Sequence, residues 1–191
     1  MTTALRTRLP DRRDALLIAA AAVAVNLIGA VGVPFTATES AWFAGVTLPA
    51  YYPPSWAFGV VWPILYALLG AAAALVHIRG RDAVGGAGVA NAPEAARDPE
   101  TARDPETARD ARTALGLFAV QLGVNVAWSP VFWGLERADL GLAVLAALLP
   151  LVVATIAAFD RVDRRAALLL VPYLAWVCFA TALNYGIWAL N

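Results

Sequence analysis

Apolar residues gather into five long blocks, about 15–33, 56–78, 113–135, 140–159 and 166–190, and the charged residues lie between them. A helix needs roughly 20 residues to cross a hydrocarbon core about 30 Å thick, and each block is close to that length. No Asp, Glu, Lys or Arg stands in the middle of a block. The blocks are continuous, not alternating, so the pattern predicts helices, which satisfy every backbone polar group within their own segment. A β-barrel would need short alternating segments instead. The expected fold class is an all-α integral membrane protein: one domain over 1–191, a bundle of five transmembrane helices.

Arginine placement orients the bundle. The segment before the first block and the second and fourth connections carry thirteen of the fourteen arginines, while the opposite side carries Arg137 alone. The positive-inside rule then predicts a cytoplasmic N-terminus and an outer C-terminus in a cell (inner) membrane. Arg6, Arg8, Arg12 and Arg13 precede the first block as they would in a signal peptide. The apolar run of about 19 residues is longer than a cleavable core, so it reads as a retained span.

The two long connections differ in kind. Residues 34–55 hold no arginine but carry Trp42, Phe43, Tyr51, Tyr52 and four prolines. Such a loop is too aromatic to be disordered, and it is expected to act as an outer lid over the bundle. Residues 80–112 are Gly-rich at first and then repeat Ala-Arg-Asp-Pro-Glu-Thr, at 96–101 and 102–107. Low hydrophobicity and balanced charge predict a disordered cytoplasmic linker there.

Three spans each carry a stripe of rings mixed with hydrogen-bonding groups. Phe58, Trp62 and Tyr66 recur every four residues, so they share a helical face. Gln121, Asn125, Trp128 and Phe132 share another, and Trp176, Ala180 and Asn184 a third, with Tyr173 and Thr181 close by. Amides are costly against lipid and should face the interior. The minimal reading of these stripes is helix–helix packing. Their convergence under an aromatic lid points further, to a mostly apolar site with a few placed polar groups, suited to a flat hydrophobic ligand. On the opposite face of the third span, Ala119, Gly123 and Ala127 form a small-residue stripe of the kind that lets membrane helices associate, here as a homodimer.

Composition narrows the function classes. The chain is 61% hydrophobic and 15% charged, against about 25% charged in soluble domains. Its formal net charge is zero, so no basic field points to nucleic acid. The single Cys178 allows no intrachain disulfide, and the single His77 no multi-histidine metal site. No catalytic nucleophile–base pair and no metal or required cofactor is indicated.

The same residues carry a family likeness. Trp42-Phe-Ala-Gly-Val-Thr-Leu-Pro49 followed by Pro53-Pro-Ser-Trp-Ala-Phe-Gly-Val-Val-Trp-Pro-Ile-Leu-Tyr66 resembles the signature of the TspO/translocator proteins. These are also called tryptophan-rich sensory proteins or peripheral benzodiazepine receptors. Gln121–Pro130 is similar to the family's third-helix motif and Pro172–Tyr185 to its fifth. The resemblance implies a dimeric five-helix bundle whose pocket takes porphyrins, such as protoporphyrin IX or haem, and benzodiazepine-type ligands. The pocket residues it implies are Trp42, Phe43, Pro53, Trp62, Tyr66, Asn125, Trp128, Phe132, Trp176 and Ala180; the facing argument adds Gln121 and Asn184. Two departures stand out. Tyr185 is followed by no basic residue, so the sterol motif proposed for animal members is absent, and Leu48-Pro49 removes a positive charge that many members carry near the lid.

The expected function is binding of a porphyrin or similar hydrophobic ligand in the membrane, for tetrapyrrole sensing, regulation or transport. One alternative is a porphyrin-degrading enzyme using Trp62 or Trp128 as radical-capable rings. The other is a small-molecule transporter, against which stand the lack of an intramembrane charge and of two equal repeats.

Overall fold

The computed structural model describes residues 11–89 and 99–191. Arg6, Arg8 and Arg97 lie outside the described residues. Six helices follow in order: α1 (Arg12–Ala30), α2 (Ala41–Ala44), α3 (Ser55–Val89), α4 (Pro99–Ser129), α5 (Ala138–Val162) and α6 (Arg164–Leu190). A 3-10 turn, Val33–Phe35, follows α1, and a π turn, Pro130–Gly134, follows α4. Five of the helices, all but α2, are long and apolar enough to cross a membrane. Internal prolines at 63, 150 and 172 are accommodated within the helical spans, as is common where neighbouring helices surround the freed carbonyls.

Helices α3, α4, α5 and α6 pack in sequence, and α3 also meets α6, which closes a four-helix ring. Its axis is filled by Leu69, Val76, Leu148, Val152, Phe159, Leu170 and Tyr173. Helix α1 lies on the outside of the ring against α3. Their approach is close enough to require Gly70, where a Cβ would come within 2.5 Å of the Ala22 Cα. Asp11 caps α1 by accepting from the backbone N–H groups of Arg13 and Asp14, 2.9 Å each, a use of orphan donors common at helix starts.

The expectation of a disordered linker over 80–112 is corrected by the structure for the described part. Helix α3 continues to Val89, and α4 already begins at Pro99, so the second hexapeptide repeat is helical. Two physical causes account for this. Ala, Arg and Glu are strong helix formers, and Pro99 stands in the first turn, where its missing N–H has no partner to lose, while Pro105 is taken up inside the helix. In addition, Ala83 is buried on α3 and Ala108 and Ala111 are buried on α4, so the extensions cover one another. A Cβ at Gly80 would sit 2.7 Å from that of Ala111, which makes this contact dependent on glycine. Composition alone concealed a small-residue helix seam. Residues 90–98, including the start of the first repeat, lie outside the described residues.

Ion pairs tie the arginine-bearing end together. Arg81 pairs with Asp14 at 3.1 Å, joining α3 to α1. Asp163, in the one-residue turn between α5 and α6, accepts from Arg79 at 3.3 Å and from Arg165 at 3.2 Å. Its side chain also caps α6 through the Arg165 backbone N–H at 2.8 Å. Burial pushes the Asp163 carboxyl up, but the hydrogen bonds from Arg165 and the neighbouring Arg79 outweigh it, and the net effect is a lowered pKa. A carboxyl held low in the folded state stabilises it above the unfolded value of about 4, and that contribution is lost as pH falls through the lowered pKa. Asp163→Ala removes cap and pairs together and should cost about 1–3 kcal/mol at pH 7. The melting difference between wild type and Asp163→Asn in detergent should shrink from pH 7 to pH 3. A difference constant over that range would place the cost in packing, not in charge.

Candidate ligand-binding site

The expected stripes meet at the lid end of the ring. From α3, Trp62 and Tyr66 stack with centroids 5.2 Å apart, and Trp62 meets Trp176 of α6 edge-on at 6.3 Å. Trp176 contacts Phe58, which contacts Tyr52 of the lid at 5.8 Å. Tyr52 meets Phe43, Phe43 meets Trp133 at 4.7 Å, and Trp133 meets Phe132, itself stacked on Trp128 at 4.8 Å. Trp42 joins from α2, 5.5 Å from Phe132. The circuit closes through Asn125, one turn before Trp128 on α4, whose Oδ1 accepts from the Tyr66 hydroxyl at 2.8 Å.

Polar contacts accompany the rings at two levels, Gln121 below them and Asn184 beside Phe132 at the lid end. The fully buried Tyr173 hydroxyl donates to Gln121 Oε1 at 3.1 Å. Trp128 Nε1 donates to Asn184 Oδ1 at 3.1 Å, and Asn184 Nδ2 donates to the Ala138 carbonyl at 2.7 Å. Asn184 therefore spends both ends of its amide on the protein. Gln121 does not: among the described residues, its Nε2 is the one buried side-chain nitrogen or oxygen without a partner. An orphaned buried donor costs about 1–3 kcal/mol and marks a place where an acceptor belongs.

The lid is held at both ends. Ser40 caps α2 by accepting from the Phe43 N–H at 3.1 Å, which aims Trp42 and Phe43 at the bundle. Farther on, the Thr47 N–H donates to Asn191 Oδ1 at 2.8 Å, Asn191 Nδ2 returns to the Thr47 carbonyl at 3.1 Å, and the Tyr51 hydroxyl donates to the Ala182 carbonyl at 2.9 Å. Burial pushes the Tyr52 phenol above its ordinary value.

The structure thus brings together Trp42, Phe43, Trp62, Tyr66, Gln121, Asn125, Trp128, Phe132, Trp176 and Asn184. Ala180 packs half-buried against the same core, and Pro53 sits half-buried in the turn leading from the lid to α3. The rings touch one another around the circuit. One surface cavity of about 170 Å³ borders the site at Trp42 and Asn191, and another of about 450 Å³ lies away from it between α5 and α6. Ala119, Gly123 and Ala127 are exposed on α4, and a Cβ at Gly123 would meet nothing within 4 Å.

Sequence reasoning missed Trp133, the buried ring that joins lid to bundle. Regular helical spacing turns position 133 away from the face of 128 and 132. The π turn, with the Leu135 N–H bonded to the Pro130 carbonyl at 3.1 Å, adds a residue and turns Trp133 toward the lid. Pro130 was the available signal, since it removes a donor at that point. Asn191 was missed because its role depends on a contact 144 residues away.

Asn184→Ala should destabilise the protein by about 1–3 kcal/mol, because it leaves the buried Trp128 N–H without its acceptor. In a Trp128→Phe background the same change should cost less, and a double-mutant cycle of melting free energies reads the difference. Strict additivity would mean that the bond contributes nothing.

The sequence finds counterparts among known proteins. The profile of the TspO/MBR family matches residues 18–189. Protein CrtK of Rhodobacter capsulatus is 36% identical over 169 residues, which is 88% of this chain and 89% of that protein. The translocator protein of Homo sapiens is 34% identical over 150 residues, 78% of this chain and 75% of that protein. The tryptophan-rich sensory protein of Cereibacter sphaeroides is 31% identical over 174 residues, 89% of this chain and 92% of that protein. A match over nearly the full length, on a bundle of five membrane helices, establishes that this chain belongs to the TspO/MBR family.

Proposed function

We propose that this protein is a membrane receptor for a porphyrin or a similar flat hydrophobic ligand, bound among the rings of α3, α4 and α6 beneath the lid. The observation that carries the reading is the circuit of aromatic contacts set over a buried, unpartnered amide nitrogen at Gln121. Indole and phenol faces suit a planar macrocycle. The Gln121 amide offers a donor to a ligand carbonyl or carboxylate. Because the rings contact one another beneath the lid, the ligand enters by parting them, with the lid displaced from α6. Protoporphyrin IX and haem are the representatives of choice, and the consequence of binding is sensing or control of tetrapyrrole flux.

The remaining assignments follow the same reasoning. The arginine-bearing end faces the cytoplasm of a cell in whose inner membrane the protein sits, with the lid outside. Two copies associate through the open Ala119/Gly123/Ala127 face of α4.

Titration of the detergent-solubilised protein with protoporphyrin IX, followed by tryptophan quenching, tests the reading. Saturable binding should weaken at least tenfold in Trp62→Ala and in Asn125→Ala, a change of about 1.4 kcal/mol. Weak quenching of equal strength in all three proteins would show porphyrin partitioning into the detergent shell and would return the stripes to helix packing.

A further inference from the structure

Away from the aromatic cleft, the outer face of the bundle carries a groove with its own chemistry. Val153, Ile156, Ala157 and Asp160 stand at offsets 0, 3, 4 and 7 on α5, and Arg164, Ala167, Leu168 and Val171 repeat those offsets on α6. That spacing places each set on one helical face, and between the two faces lies a groove of about 450 Å³. Ala157 and Ala167 give it depth. Val153, Leu168 and Val171, exposed by 53, 57 and 47%, form walls whose apolar surface no other described part of the chain covers.

The charges of this groove lie at one end only. Asp160 and Arg164 flank the α5–α6 turn, with Arg161 beside them. Seven residues of helix rise about 10 Å, while one leaflet's share of the hydrocarbon core is about 15 Å. The groove therefore starts at headgroup depth and ends among acyl chains, all within one leaflet. Asp163 in the same turn is already engaged by Arg79 and Arg165. Among the described residues, Arg161 and Arg164 enter no ion pair. Two free guanidinium groups against the single carboxylate of Asp160 leave the mouth positive.

We propose that this groove is a binding site for an anionic phospholipid. One acyl chain lies along Ala157 and Ala167, and the phosphodiester rests on Arg164, whose planar fork suits paired phosphate oxygens. Basic pockets between membrane helices select acidic headgroups on the same principle. Asp160 accepts a hydrogen bond from a headgroup hydroxyl. A second copy of this chain fits less well: a two-fold contact would set one concave groove against another and the same arginines face to face.

The test uses the full-length protein, delipidated in neutral detergent, with phosphatidylglycerol and phosphatidylcholine of identical chains, and native mass spectrometry as readout. Wild type should retain phosphatidylglycerol at least threefold over phosphatidylcholine. Arg164→Gln should abolish the preference, and Ala157→Trp should lower retention of both lipids; circular dichroism and melting temperature check that both variants fold. Glycerol phosphate alone should not compete. Equal retention of the two lipids by wild type would overturn the proposal, as would a preference that survives Arg164→Gln. Competition by glycerol phosphate would reassign the arginines to a free-phosphate site. A changed oligomeric mass in Ala157→Trp with lipid retention intact would give the groove to a second copy and likewise overturn it.

Discussion

Inside a bilayer a polar side chain has no water to fall back on, so each one must find a partner in the protein, as Thr155 and Thr181 do on their own helix and the larger amides do on another. In this protein the constraint converges on α4. Asn125 accepts from Tyr66 of α3, Gln121 from Tyr173 of α6, and Trp128 donates to Asn184 of α6, which in turn reaches the Ala138 carbonyl at the start of α5. Three amides on two helices thereby fix the positions of all four helices in the ring. The rings that surround the site are held by these same bonds, since Tyr66 and Trp128 supply both a donor and an aromatic face. Structure and candidate binding surface share one network, and among the described residues the one buried side-chain nitrogen or oxygen left without a partner is Gln121 Nε2.

That double use explains which features were legible in the sequence. Spans, interior faces and the burial of Gln121, Asn125 and Asn184 follow from hydropathy and helical period, because lipid enforces both. The open Ala119/Gly123/Ala127 face was legible for the same reason. What stayed hidden depends on departures from the regular helix or on distant contacts. Trp133 reaches the site only because the π turn shifts its register. The lid's anchorage relies on Asn191 and on the Tyr51 hydroxyl, neither of which has a local signature. The helical form of the hexapeptide segment follows from Ala83, Ala108 and Ala111 packing across two helices, a seam that local composition does not reveal.

Membership of the TspO/MBR family and the membrane bundle stand on the match over residues 18–189 and on the five spans. The account adds a mechanical requirement. A ligand that enters the proposed site beneath the lid must displace it, and the lid is held to the end of α6 by the reciprocal Thr47–Asn191 bonds. The most direct test is to cross-link the lid shut. In a Cys178→Ser background, Thr47→Cys and Asn191→Cys are joined by a disulfide, and the rate of protoporphyrin IX association is followed by tryptophan quenching. The account predicts a rate at least tenfold lower in the oxidised protein and full recovery on reduction. An unchanged rate with the lid locked would contradict it and place the ligand elsewhere on the bundle.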